Sequence, residues 1–145
     1  MSKISWILIA VGTIIIAVLA VVLVVVPGPN DETPPFVSEN VRVQLPRPGG
    51  TVVKQFTVTG EARGTWYFEA SFPVQVRDPN NNVVGTGIAQ AEGEWMTEDF
   101  VPFSAPVTIQ DYTGPATLVL IKDNPSGLPE HDDSVEFSIN VLETN

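Results

Sequence analysis

The chain has 145 residues, 17 of them acidic and 7 basic, for a formal net charge of −10, and it contains no cysteine. A surface this acidic repels the phosphates of nucleic acid and of anionic lipid headgroups, whose capture depends on Lys and Arg, so no nucleic-acid partner is expected. The missing thiols exclude disulfides and a lipid-attachment cysteine, which points to a bacterial or archaeal source, since animal extracellular domains of this size are often disulfide-dense.

Residues 4–26 read ISWILIAVGTIIIAVLAVVLVVV, 23 residues without a charge. A helix needs roughly 20 residues to cross a ~30 Å hydrocarbon core, so the run predicts a transmembrane signal-anchor helix. Trp6 suits the headgroup boundary. A cleaved signal peptide is the rival reading, with Val18, Leu19 and Ala20 as the cleavage site, but the apolar run continues past Ala20 with no polar region before the cut. Lys3 is the only charged side chain before Asp31, and the far flank, PGPNDETPP, carries acids alone. The positive-inside rule therefore expects residues 1–3 in the cytoplasm and the rest outside, as a single-pass, integral protein of the cell membrane. Pro27, Pro29, Pro34 and Pro35 predict an extended stalk over 27–36, because proline cannot continue a helix. Residues 37–145 then have the usual size of one domain with one core.

Beyond the stalk the apolar period becomes two, the period of strands, and turn residues recur about every 8 to 15 residues. The first strand is expected over Asn40–Leu45, closed by PRPGG, and the second over Val52–Gly60. The clearest lies in WYFEASFPVQVRD. There Trp66, Phe68, Ala70, Phe72, Val74 and Val76 share one face, and Tyr67, Glu69, Ser71, Gln75 and Arg77 share the other. After the turn DPNNN, a fourth strand over Val83–Ala91 is weakened by Gly85 and Gly87. A fifth, Phe100–Ile109, contains Pro102 and Pro106, which suits an edge or a bulge. Thr117–Lys122 is apolar enough to be buried on both faces, and Ser134–Leu142 alternates again. These elements predict an all-β, seven-strand antiparallel immunoglobulin-like sandwich behind one transmembrane helix, with Trp66 in its core.

The segments GEARGTWYFEASFPVQVRDPNNNVV, AQAEGEWMTEDFVPF and TLVLIKDNPSGLPEHDDSVEFSINV carry a resemblance over about residues 40–142. They resemble the Gmad-type immunoglobulin-like domain first described beside bacterial spore-germination and sporulation proteins. The most specific pieces are FEA after the tryptophan and the KDNPSG run before the last strand. The resemblance implies an envelope module, since such domains also occur behind one membrane helix in bacteria that make no spores, and it implies no enzymatic activity and no settled ligand.

The residues themselves point the same way. The only histidine, His131, lies in the polar turn LPEHDD, and a triad would need an activated serine and an orienting carboxylate beside it. One His without Cys cannot supply the commoner catalytic zinc patterns. No catalytic residue, metal or cofactor is expected. A carboxylate-dependent hydrolase needs only two acids across a cleft. Glu69 is the acid to inspect for that role, although an outward strand residue paired with Arg63 or Arg77 accounts for it. Oxygen-rich turns offer calcium candidates for an adhesion domain: Asp78, Asn80 and Asn82 in one, Asp123, Asp132 and Asp133 in another. The same residues serve turns by bonding the backbone. Tyr67 and Tyr112 fall on the polar phase of their segments and, with Glu69, form a candidate binding surface. Trp95 is expected to pack on the sandwich edge under Met96 and Phe100. The function expected is binding or scaffolding of another envelope protein or of cell-wall polymer.

Overall fold

A computed structural model describes residues 33–143 of the chain. The apolar run 4–26, and all but the last four residues of the expected stalk, lie outside them. Among the described residues no helix is long and apolar enough to cross a membrane.

Period-two alternation yields nine strands: β1 Phe36–Val37, β2 Val41–Leu45, β3 Thr51–Val52, β4 Gln55–Arg63, β5 Ser71–Arg77, β6 Val83–Ala91, β7 Phe100–Ile109, β8 Gly114–Ile121 and β9 Ser134–Val141. Two 3-10 turns, Gly64–Trp66 and Pro129–His131, complete the list of elements. The strands follow one hydrogen-bonded order, β1-β2-β4-β7-β6-β5-β8-β9-β3. Within it, β2-β4-β7-β6 repeats the ABED order of an immunoglobulin sandwich and β5-β8-β9 the CFG order. Pairing of β5 with β6, from Ser71↔Gln90 to Arg77↔Val83, joins the two halves. The sheet curls: the Phe36 ring of β1 stacks on Phe137 of β9 with centroids 5.1 Å apart.

The all-β immunoglobulin-like expectation holds, with nine strands in one curled sheet in place of seven in a sandwich. The two additions are β1 and β3, each two residues long. The expected second strand divides: Thr51 and Val52 pair in parallel with Asn140 and Val141 of β9, whereas Gln55 onward pairs antiparallel with β7. One parallel pair therefore interrupts the antiparallel pattern.

The two prolines of β7 do not place it at an edge, because β7 lies between β4 and β6. Its ladder with β4 is continuous, but the one with β6 passes from Gly87↔Val107 to Gln90↔Ser104. Pro106 falls in that gap, where its missing N–H breaks no bond. Gly87 also has a steric reason, since a Cβ there would stand 2.4 Å from the Pro106 carbonyl oxygen and 2.8 Å from Val107.

Phe72 of β5 is the hub of the core, in edge contact with Trp66, Tyr67 and Phe103 at centroid distances of 5.9, 5.1 and 5.1 Å. Such pairs contribute roughly 0.5–1.5 kcal/mol each beyond the area they bury. The β8 expectation is met as well: Leu118, Val119 and Leu120 are all buried. Val119 faces away from the core, its register partners being Gln75 and Glu136.

Candidate interaction site

Antiparallel alternation brings the β4–β5 connection (64–70), the β6–β7 connection (92–99) and the β8–β9 connection (122–133) to one end of the domain. Backbone bonds knit them together. Gly64 donates to Asp99 O at 3.0 Å, Ala91 to Ala70 O at 2.8 Å, and Asp123 to Trp66 O at 3.1 Å. Arg63 adds a bond from its guanidinium to Glu98 O at 3.3 Å. The closeness depends on glycine. A Cβ at buried Gly64 would stand 2.0 Å from the Thr97 carbonyl oxygen and 2.3 Å from that of Trp95.

The β4–β5 connection departs from the strand expected there. After the 3-10 turn, Phe68 and Ser71 exchange both backbone hydrogen bonds, at 3.0 and 3.1 Å. Between them Glu69 and Ala70 have φ of +50° and +64°. Positive φ at both central residues defines a two-residue turn of the I′ kind, for which Asn-Gly is the usual sequence. A left-handed backbone at residues other than glycine costs roughly 1–2 kcal/mol each.

This irregular path resets the side-chain phase. The 3-10 turn advances by threes and the tight turn reverses the chain, so Tyr67 rotates inward and Phe68 outward. Tyr67 is buried with its hydroxyl donating to Val101 O at 2.7 Å, and loss of water pushes its phenol well above the ordinary value. It belongs to the core and not to a binding surface. Glu69 sits exposed at the tip of the turn instead of mid-strand. Tyr112 lies at the β7–β8 corner, at the opposite end, half-buried, and donates its hydroxyl to Pro115 O. The bond braces that corner locally.

The sequence reading overlooked what the three connections share. Each exposes one large apolar side chain: Phe68 at 41 %, Met96 at 73 % and Leu128 at 48 %. Trp95 beside Met96 packs partly buried against the core, as expected. The Phe100 ring carries the guanidinium carbons of Arg42 and Arg63 at 3.9 and 4.1 Å from its centroid. Around the apolar tips, the 38–40 turn and the three connections carry ten of the chain's 17 acids. A spacing of exposed apolar residues three loops apart in sequence has no periodicity, so only the fold reveals it.

The β8–β9 connection is organised by Asn124. Its amide donates to Leu128 O at 2.8 Å and to Asp132 Oδ1 at 2.7 Å, and its carbonyl accepts the Ser126 hydroxyl at 2.5 Å. His131 Nδ1 lies 3.0 Å from Ser126 Oγ. The Ser126 hydroxyl is engaged within its own turn, donating to the Asn124 carbonyl and accepting the Leu128 amide at 3.2 Å.

The description of the immunoglobulin-like domain of bacterial spore germination, Gmad2, matches residues 40–127, more than half of the chain. The chain belongs to this family. No curated protein and no solved structure matches it. The Gmad2 match takes in both the FEA turn and the KDNPSG run, which meet through Trp66 and Asp123. It ends before β9, although Phe137, Ile139 and Val141 of that strand complete the core. Gmad2 is described as an immunoglobulin-like domain and is not a known enzyme family.

The calcium candidates do not converge within this Gmad2 domain. Asp78, Asn80 and Asn82 lie in the β5–β6 turn at the end opposite Asp123, Asp132 and Asp133. Asp78 spends both oxygens on its own turn: Oδ1 accepts the Asn80 and Asn82 amides at 2.9 and 2.8 Å, and Oδ2 the Asn82 side chain at 2.9 Å. Asp132 is bonded to Asn124, and Asp133 Oδ1 accepts the Ser134 amide at 2.9 Å. Among the described residues no group of three or more His, Cys, Asp or Glu is placed to hold a metal ion.

Proposed function

We propose that this Gmad2 protein is a membrane-anchored, extracytoplasmic interaction module that docks another envelope protein on its β4–β5, β6–β7 and β8–β9 connections. The observation that carries the reading is the exposure of Phe68, Met96 and Leu128, one on each of three connections pinned to one another through the backbone. Isolated exposed apolar residues are ordinary, but apolar tips on a rigid, loop-bearing end are where immunoglobulin-like domains place recognition. The Glu69–Ala70 backbone supports it too, since strain of this kind persists where a displayed geometry matters. The uncharged run 4–26 and the cationic Lys3 support the anchor and its orientation.

The test is affinity capture from solubilised envelope fractions by the intact chain and by a Phe68→Ser, Met96→Ser, Leu128→Ser triple variant. A protein retained by the first and lost by the second supports the reading. Equal retention by both, or retention of purified cell-wall polymer in place of protein, would replace it.

A further inference from the structure

At the end opposite the three connections, Leu45, Val53 and Leu142 are 54 %, 41 % and 44 % exposed. With Pro46 and Phe56 they line an apolar depression of about 330 Å³. The chain enters the domain at this same end, where Arg47 Nη1 donates to the Thr33 carbonyl at 2.9 Å. Six residues separate Thr33 from Val26, the last of the uncharged run, a reach of at most about 25 Å when fully extended.

Charge divides along the same axis. Connections at this end, with the tether before Thr33, hold Asp31, Glu32, Asp78, Asp111 and Glu143 against Arg47 and Lys54, whereas the opposite end sets ten acids against Arg63 and Lys122. Most of the repulsion from anionic headgroups therefore originates at the far end and is screened there within a Debye length of about 10 Å. The end beside Thr33 carries half as many acids and the apolar depression.

From these three observations we infer that the end of the domain bearing Leu45, Val53 and Leu142 rests on the outer surface of the lipid bilayer, with the acidic connections directed away from it. The inference rests on the reading that residues 4–26 anchor the chain. A tether this short keeps the apolar end at an effective concentration in the millimolar range near the bilayer, so a weak contact is enough to stay populated. Docking in this way holds Phe68, Met96 and Leu128 outward, where a partner can reach them.

The absence of native cysteine permits full-length Val53→Cys, Leu142→Cys, Met96→Cys and Leu128→Cys variants, each carrying one environment-sensitive fluorophore at an exposed position. They are reconstituted into vesicles of phosphatidylcholine and phosphatidylglycerol with iodide on both sides. Labels at 53 and 142 should shift to the blue and be quenched by headgroup-spin-labelled lipid, whereas those at 96 and 128 should be quenched by iodide alone. Iodide quenching at all four sites in protein that floats with the vesicles overturns the docking and leaves the anchor standing. Failure to float overturns both. Labels at 53 and 142 shielded from both quenchers mean that protein, such as a second copy of the chain, covers the depression, and that also overturns the inference.

Discussion

The backbone N–H of Asp123 donates to the carbonyl oxygen of Trp66 across 3.1 Å. The bond joins the start of the β8–β9 connection to the 3-10 turn that precedes the FEA turn, so the FEA turn and the KDNPSG run, both within the Gmad2 match, form one structural unit. Trp66 is itself buried against Phe72. These two connections are therefore referenced directly to the core, which is what gives exposed side chains on loops a fixed spacing.

Gly64 is the position where this unit is most sensitive. Gly64→Ala places a methyl group against two backbone carbonyls of the β6–β7 connection, and backbone has no rotamer by which to move aside. The expected loss is about 1–3 kcal/mol, as for other overpacked sites. For a domain of this size each kcal/mol lowers the melting midpoint by roughly 4–8 °C. Thermal melting checks it, and an unchanged midpoint would mean that the β6–β7 connection yields freely.

Tyr67→Phe should cost about 1–2 kcal/mol by leaving the buried Val101 carbonyl without its donor. It also carries a pH signature. In the folded domain burial holds the phenol protonated above its ordinary value of 10.0. Above about pH 10 the unfolded chain has lost this proton while the folded chain keeps it, so stability falls as pH rises, and below that value the group contributes no slope. Urea unfolding at pH 8 and pH 10.5 should show a steeper alkaline loss in the native chain than in the variant. Parallel losses would assign the slope to other groups.

Seven of the nine strands were legible, six because each alternates apolar and polar residues against a single buried face and β8 because its apolar run is continuous, with Leu118, Val119 and Leu120 all buried. The failures are local and share a cause: a backbone irregularity that leaves the apolar pattern intact. Trp66, Phe68 and Ala70 sit at strand spacing, yet a 3-10 turn and a turn with two left-handed residues intervene, so Phe68 is exposed and Tyr67 buried. The prolines of β7 suggested an edge because their effect on one ladder was visible in the sequence and the gap that absorbs it in the other was not. At the candidate site, Glu69 was legible as unusual, but for a strand it does not occupy. Phe68, Met96 and Leu128 come from three distant stretches, and no periodicity relates them.

Ala70→Gly tests whether the tight turn sacrifices stability. Ala70 has φ +64°, a region glycine enters without steric conflict. Removing that conflict should outweigh the entropy glycine adds to the unfolded chain and stabilise the domain by about 0.5–1 kcal/mol. Denaturant midpoints measure it directly. A gain in stability would show that the native alanine is not retained for folding, whereas a loss would mean that its methyl makes contacts worth more than the strain.

Asp78 governs the β5–β6 turn. Hydrogen bonds from the Asn82 side chain and backbone, then from the Asn80 backbone, hold its carboxyl below the ordinary value of 3.8. Because the folded value is the lower one, the unfolded chain binds this proton more readily. The stabilisation is therefore fully present above about pH 4 and disappears as pH falls through the folded value. Relative to the intrinsic exchange rate at each pH, the Asn80 and Asn82 amides should be protected at pH 6 and lose that protection on acidification, and Asp78→Asn should lack it already at pH 6. Asp78 already accepts three bonds within the turn, which account for its placement without an ion. Adding calcium or a chelator should leave these exchange rates unchanged, and a calcium-dependent slowing would return Asp78 to the role of an ion ligand.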